Sequence, residues 1–191
     1  MKFLNITLFN SLTIFFLTFL FFALSAPSFT QDYKVKKVGK AFSHPWGISV
    51  FDNDEVLITE RGGHLFKVNI ENGSTIKISN LPEVFNVRQG GLLDILVDKQ
   101  SVSERNVYIC YSSKIAGGSS TTLMAGALKE DKLTSKTILF KSNNVSDSGV
   151  HFGCRLAILN DEIFMSIGDR GKRYEAQDPN SHAGSVIRVN K

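Results

Sequence analysis

Three side chains have types and spacing that suit proton chemistry: His151, Asp169 and Gln89. His151 and Asp169 lie equally far from position 160, where Asn160-Asp161 separates the apolar runs Leu156-Ala-Ile-Leu159 and Ile163-Phe-Met-Ser-Ile167. If the two runs form a hairpin, residues equidistant from its turn become neighbours, so the pair meets at one end. A carboxylate against an imidazole fixes its tautomer and raises its basicity, which is what a general base requires. A local role for Asp169 is equally open, because aspartate commonly accepts backbone N–H bonds in turns such as Gly168-Asp-Arg-Gly171. Gln89 precedes the run Leu92-Leu-Asp-Ile-Leu-Val97 much as His151 precedes the next one. If the two units are related by rotation, both side chains open on one rim.

Other residues share that rim. Arg88 and Arg155 either serve an anionic ligand or bridge neighbouring units. Gly90-Gly91 and Gly153 allow close backbone approach, by a ligand or by an adjacent strand. His44-Pro-Trp-Gly47 opens the first unit, with Trp46 expected to pack between units. The histidines at 44, 64, 151 and 182 and the cysteines at 110 and 154 show no CxxC, HxxxH or HExxH spacing, so no transition-metal site is assigned. No GxGxxG, P-loop or GxSxG sequence occurs, which argues against nicotinamide, nucleotide and serine-hydrolase chemistry.

The elements that must position these residues read as strands. From Trp46 onward short apolar runs alternate with turn residues, without a sustained helical period, so the chain is expected to be all-β. Ile48–Phe51 with Val56–Thr59, Leu92–Val97 with Val107–Tyr111, and Leu156–Leu159 with Ile163–Ile167 form three hairpin units. The segment from Gly47 resembles the segment from Arg155, and each leads to a further strand with a common ending, Leu65-Phe-Lys-Val-Asn69 and Val186-Ile-Arg-Val-Asn190. Recurrent hairpins with outer strands are the mark of β-propeller blades; an ordinary sandwich is the alternative. At roughly 40 to 50 residues per blade, residues 26–191 hold about three blades, so an incomplete ring is expected.

Residues 1–25 read as a secretory signal peptide: Met1-Lys2, an apolar run to Phe22, and Ala23-Leu-Ser-Ala26. Eight of the 15 phenylalanines fall before Gln31. A retained anchor is the alternative, which makes membrane association an expectation only if the leader stays. Residues 26–191 then form the N-terminal part of a propeller domain in a periplasmic or secreted protein. Cys110 and Cys154 form one bridge or none. A net charge of +4 is too small to argue for nucleic acid.

Several motifs occur in one order: His44-Pro-Trp-Gly47, Thr59-Glu-Arg-Gly-Gly63, Arg88-Gln-Gly-Gly-Leu-Leu-Asp94, Val107-Tyr-Ile-Cys-Tyr-Ser112, His151-Phe-Gly-Cys-Arg-Leu156, Gly168-Asp-Arg-Gly171, and Ala176-Gln-Asp178 followed by Val186–Asn190. Together they resemble the soluble glucose/sorbosone dehydrogenases, the aldose sugar dehydrogenases that depend on pyrroloquinoline quinone (PQQ). The resemblance implies a six-bladed propeller with PQQ and calcium, an aldose substrate oxidised at its anomeric carbon, and an external electron acceptor. It places the catalytic base on His151, the orienting carboxylate on Asp169 and the glutamine beside cofactor and substrate on Gln89. Val150 stands where the best-known glucose dehydrogenases carry an acidic residue, and Cys154 where a small residue is usual. The calcium loop and later cationic cofactor contacts are expected beyond Lys191. A non-catalytic propeller binding module and a calcium-dependent lactonase-like hydrolase are the rival readings.

Overall fold

The computed structural model describes residues 33–100 and 105–191, so the leader expected over residues 1–25 lies outside the described residues. The chain divides into two units, Met1–Lys36 and Lys37–Lys191, and the eleven strands of the described residues all lie in the second. They form three antiparallel meanders. The first sheet comprises β1 (Pro45–Val50), β2 (Glu55–Glu60), β3 (His64–Asn69) and β4 (Thr75–Ile78). The middle sheet comprises β5 (Leu92–Val97), β6 (Arg105–Ile115), β7 (Gly118–Lys129) and β8 (Lys132–Lys141). The third comprises β9 (Gly153–Leu159), β10 (Glu162–Ile167) and β11 (Val186–Asn190). A short 3-10 turn at Arg173–Gln177 precedes β11.

The all-β reading and the three hairpin units therefore hold, and the repeat seen in sequence is a repeat in space. Asn69 on β3 pairs with Glu55, and Asn190 on β11 pairs with Glu162, so the two matching endings occupy equivalent places. Each sheet is a blade, and the chain has the architecture of part of a β-propeller.

Burial explains the stacking order. The middle sheet is covered on both faces, as a blade between two neighbours must be. Leu92 and Ile95 pack with Leu57 and Leu65 of the first sheet, while Leu93 and Cys110 pack with Leu156 and Met165 of the third. This double burial makes β5 read as a continuous apolar run rather than an alternating one. A disulfide joins Cys110 on β6 to Cys154 on β9 through the second of these cores. The sequence left the pairing open; in the structure the bridge crosses from one blade to the next.

Each innermost strand carries a β-bulge at the same height. Between the pairs Pro45↔Glu60 and Ile48↔Ile58, Trp46 and Gly47 oppose Thr59 alone. Leu93 and Asp94 likewise oppose Cys110, and Cys154 and Arg155 oppose Ser166. A bulge adds a residue to one strand, bends it and re-aims the side chains beyond it. Gly47, Asp94 and Arg155 thus occupy one position on three successive blades. The three innermost strands also share a direction: Gly47 lies against Asp94 and Ser49 Oγ accepts the Val97 N–H, while Asp94 accepts the Leu156 N–H and Val97 and Ile158 line one cavity; His44, Gln89 and His151 precede their first residues. Their far ends line a cavity of about 510 Å3 that includes Val50, Val97 and Ile158.

Candidate active site

The bulge on β9 brings His151 and Asp169 together. Beside the turn the register is Glu162↔Leu159 and Met165↔Leu156, which would set residue 152, not 151, opposite Asp169. Past the bulge the pairing becomes Ile167↔Gly153, and the shifted register matches 151 with 169. His151 Nδ1 lies 2.7 Å from Asp169 Oδ1. The same Oδ1 accepts the Gly171 N–H at 2.8 Å, so both roles foreseen for Asp169 are filled at once.

This carboxylate is fixed from two sides. The Gly171 N–H and then the His151 ring hold its carboxyl below the usual aspartate range. An ionised Asp169 can only accept, so Nδ1 carries the proton and Nε2 is left with its lone pair. The His151 side chain is 55% exposed and Asp169 is 23% exposed, which leaves the imidazole reachable and its orienting partner partly shielded.

Gln89 closes the arrangement from the middle blade. Its Oε1 accepts the His151 backbone N–H at 2.8 Å, and the Gln89 backbone N–H donates to Gly149 O at 2.8 Å. The glutamine that sequence spacing put on the same rim therefore touches the histidine's own backbone. With Oε1 occupied, its amide NH2 is the group that can donate to a ligand. His151 holds φ 51°, a left-handed conformation uncommon for a non-glycine residue.

Arg155 is engaged elsewhere. Its Nη1 lies 3.2 Å from Asp94 Oδ1, and the Leu156 N–H donates to Asp94 Oδ2 at 2.8 Å. Of the two roles open to Arg155, bridging neighbouring blades is the one the contacts display. Burial pushes the Asp94 carboxyl up, against the opposing pull of the Leu156 N–H and Arg155. The glycines are likewise taken up by protein. A Cβ on Gly91 would lie 1.9 Å from Arg61 O, one on Gly90 2.5 Å from Phe85 O, and one on Gly153 2.7 Å from Gly168 N. Trp46, expected between blades, is instead 43% exposed on β1.

Two arginines escaped sequence reasoning. Arg61, on the hairpin end packed against Gly91, has a buried Nε that no protein group answers. Arg170, in the same turn as Asp169, is 1% exposed. Both follow a carboxylate and precede glycine, Glu60-Arg61-Gly62 and Asp169-Arg170-Gly171, and this shared triplet was the available signal. A second imidazole–carboxylate pair, His64 Nδ1 to Glu60 Oε2 at 3.1 Å, sits on the first blade. Among the described residues no three His, Cys, Asp or Glu side chains stand together as a metal-holding group.

Meander sheets packed face to face, with an imidazole–carboxylate pair where β9 begins, define part of a β-propeller. The chain belongs to the glucose/sorbosone dehydrogenase family, which it matches over residues 42–191. It is 31% identical over 151 residues to the aldose sugar dehydrogenase YliI of Escherichia coli K12, an alignment covering 76% of this chain and 41% of that protein. The uncharacterized protein slr1608 of Synechocystis is 32% identical over 178 residues, covering 83% and 43%. The apo soluble aldose sugar dehydrogenase of E. coli superposes with a TM-score of 0.72 at 31% identity, over 78% of this chain and 44% of that one. The PQQ-bound aldose sugar dehydrogenase of Streptomyces coelicolor gives a TM-score of 0.69 at 22% identity, over 81% and 46%, a likeness of fold. The chain spans less than half the length of the curated relatives it matches.

Proposed function

We propose that this chain is the base-bearing part of an exported, PQQ-dependent dehydrogenase that oxidises an aldose at its anomeric carbon. The observation that carries the proposal is the His151–Asp169 pair at 2.7 Å with Gln89 on the His151 backbone, within a chain of this family. The residues suit an anionic quinone: a glutamine amide with a free NH2, and a cation, Arg61, with one donor unanswered. PQQ, when bound, supplies the hydride acceptor. His151 Nε2 takes the proton of the anomeric hydroxyl, and Asp169 stabilises the imidazolium that forms. Gln89 holds His151 in place and lends its amide to cofactor or sugar. The described residues contain no group of three His, Cys, Asp or Glu side chains that could hold calcium.

Export is supported by the apolar leader and by the Cys110–Cys154 bridge, which persists in oxidising compartments. The electron acceptor is proposed to be external to the chain. The test is a dye-coupled assay with PQQ, calcium and glucose, using a polypeptide extended to the relatives' length. Dye reduction that falls by about 10²–10⁴ in His151→Ala supports the reading. No reduction by the extended protein refutes it, and equal reduction by His151→Ala removes the base.

A further inference from the structure

We propose that Arg170 is a positioning residue that sets the orientation of His151. Four carbonyls of the segment leading into the histidine converge on this one side chain and its backbone. Arg170 Nε donates to Val150 O at 3.0 Å, Nη2 donates to Ser148 O and, at 3.4 Å, to Ser146 O, and the Arg170 backbone N–H donates to His151 O at 3.2 Å. The guanidinium also reaches the middle blade, Nη1 to Ser119 O at 3.1 Å and Nη2, whose two hydrogens are shared among three acceptors, to Ser119 Oγ at 2.9 Å. The guanidinium carbon lies 3.6 Å from the centroid of the Phe152 ring. Thr121 Oγ1 completes the clamp by donating to Phe152 O at 3.1 Å.

Two features separate this from ordinary packing. Arg170 is buried without a carboxylate in hydrogen-bond contact; carbonyls, one hydroxyl and a ring face hold its charge. Burying a cation in this way is costly and persists where many fixed acceptors compensate it. Arg170 also sits directly after Asp169, so a single residue anchors both the backbone that carries the base and the turn that carries its partner. His151 and Arg170 both hold left-handed φ, at 51° and 56°. Such a conformation is strained for a residue with a side chain and survives only when the surroundings over-determine it. Arginine is suited to this because its planar fork presents five donors in fixed directions, where lysine offers a single mobile ammonium.

The positioning role rests on the dehydrogenase reading only for its catalytic meaning; the geometry is read without cofactor. The test is the tautomer of the His151 ring, observed through long-range 1H–15N couplings in the chain at pH 8, with His44, His64 and His182 as internal references. The chain should show His151 protonated at Nδ1. Arg170→Met should convert it to a mixture of tautomers while the three reference rings and the Cys110–Cys154 bridge stay unchanged, and Arg170→Lys should fall between. A folded Arg170→Met with the His151 tautomer unchanged overturns the proposal, as does a mixed tautomer in the unsubstituted chain. Loss of folding in both variants also overturns it, since Arg170 would then be a general support of the core. Absence of dye reduction in the extended protein with the tautomer shift intact would remove the activity and leave the positioning role standing.

Discussion

At the scale of single residues, the site depends on which atoms are already spoken for. Asp169 accepts from both Gly171 and His151, and the two bonds hold its carboxyl below the value of a free aspartate. A carboxylate depressed in the folded state contributes stability above its unfolded pKa of about 3.9, lost as pH falls through the lower folded value. The difference in urea midpoint between the protein and Asp169→Asn should therefore be constant above about pH 5 and shrink progressively as the solution is made more acidic. Equal midpoints at pH 7 would show that the two hydrogen bonds contribute nothing. The Arg155–Asp94 pair is asymmetric, with the aspartate side chain 4% and the arginine 70% exposed. Asp94→Ala strands the buried Leu156 N–H and should cost about 2 kcal/mol in urea unfolding. Arg155→Ala, at the exposed end, should cost less than about 1 kcal/mol in the same assay.

At the scale of elements, the bulge decides what the strands present. The turn at Asn160-Asp161, the hairpin partners and the shared endings of β3 and β11 were legible because alternation and turn residues are local signals. The meeting of His151 with Asp169 was also legible, but the simple register misses it by one residue and Cys154-Arg155 restores it. A bulge leaves no clear mark in composition. Neither does the partner of a buried charge: the acceptors of Arg170 lie at residues 146, 148 and 150, about twenty positions away in the chain. The same holds for the Cys110–Cys154 pairing, which links strands 44 residues apart in sequence. Gly168 tests the strand end directly. A Cβ there would fall 2.0 Å from His151 O, so Gly168→Ala should push β10 away from the histidine. We expect a loss of about 1–3 kcal/mol in thermal or urea unfolding. If the proposed activity holds, dye reduction by the polypeptide extended to the relatives' length should fall by about 10²-fold, with KM changed less.

At the scale of the molecule, the blades are joined by packing, by polar contacts such as Arg155–Asp94 and Arg170–Ser119, and by one disulfide. Removing the bridge by Cys154→Ser frees a loop of 44 residues in the unfolded chain and should cost about 4 kcal/mol in chain entropy. Calorimetry should record this as a drop in Tm of roughly 8–16 °C, at about 2–4 °C per kcal/mol for a chain of this size. A change of less than about 2 °C would mean that packing and polar contacts between the middle and third sheets hold them together without the bridge. The bulges repeated on β1, β5 and β9 have a further consequence for anyone who would rebuild the channel. Positions 47, 94 and 155 act as one address copied onto successive blades, occupied by glycine, aspartate and arginine. The copies are not independent. A side chain at 47 would strike Asp94 Oδ1 at 2.8 Å, and Asp94 is itself bonded to Arg155, so each blade's choice at this address constrains the next. The rim must be rewritten in adjoining pairs, and a substitution accepted by one blade is paid for by its neighbour.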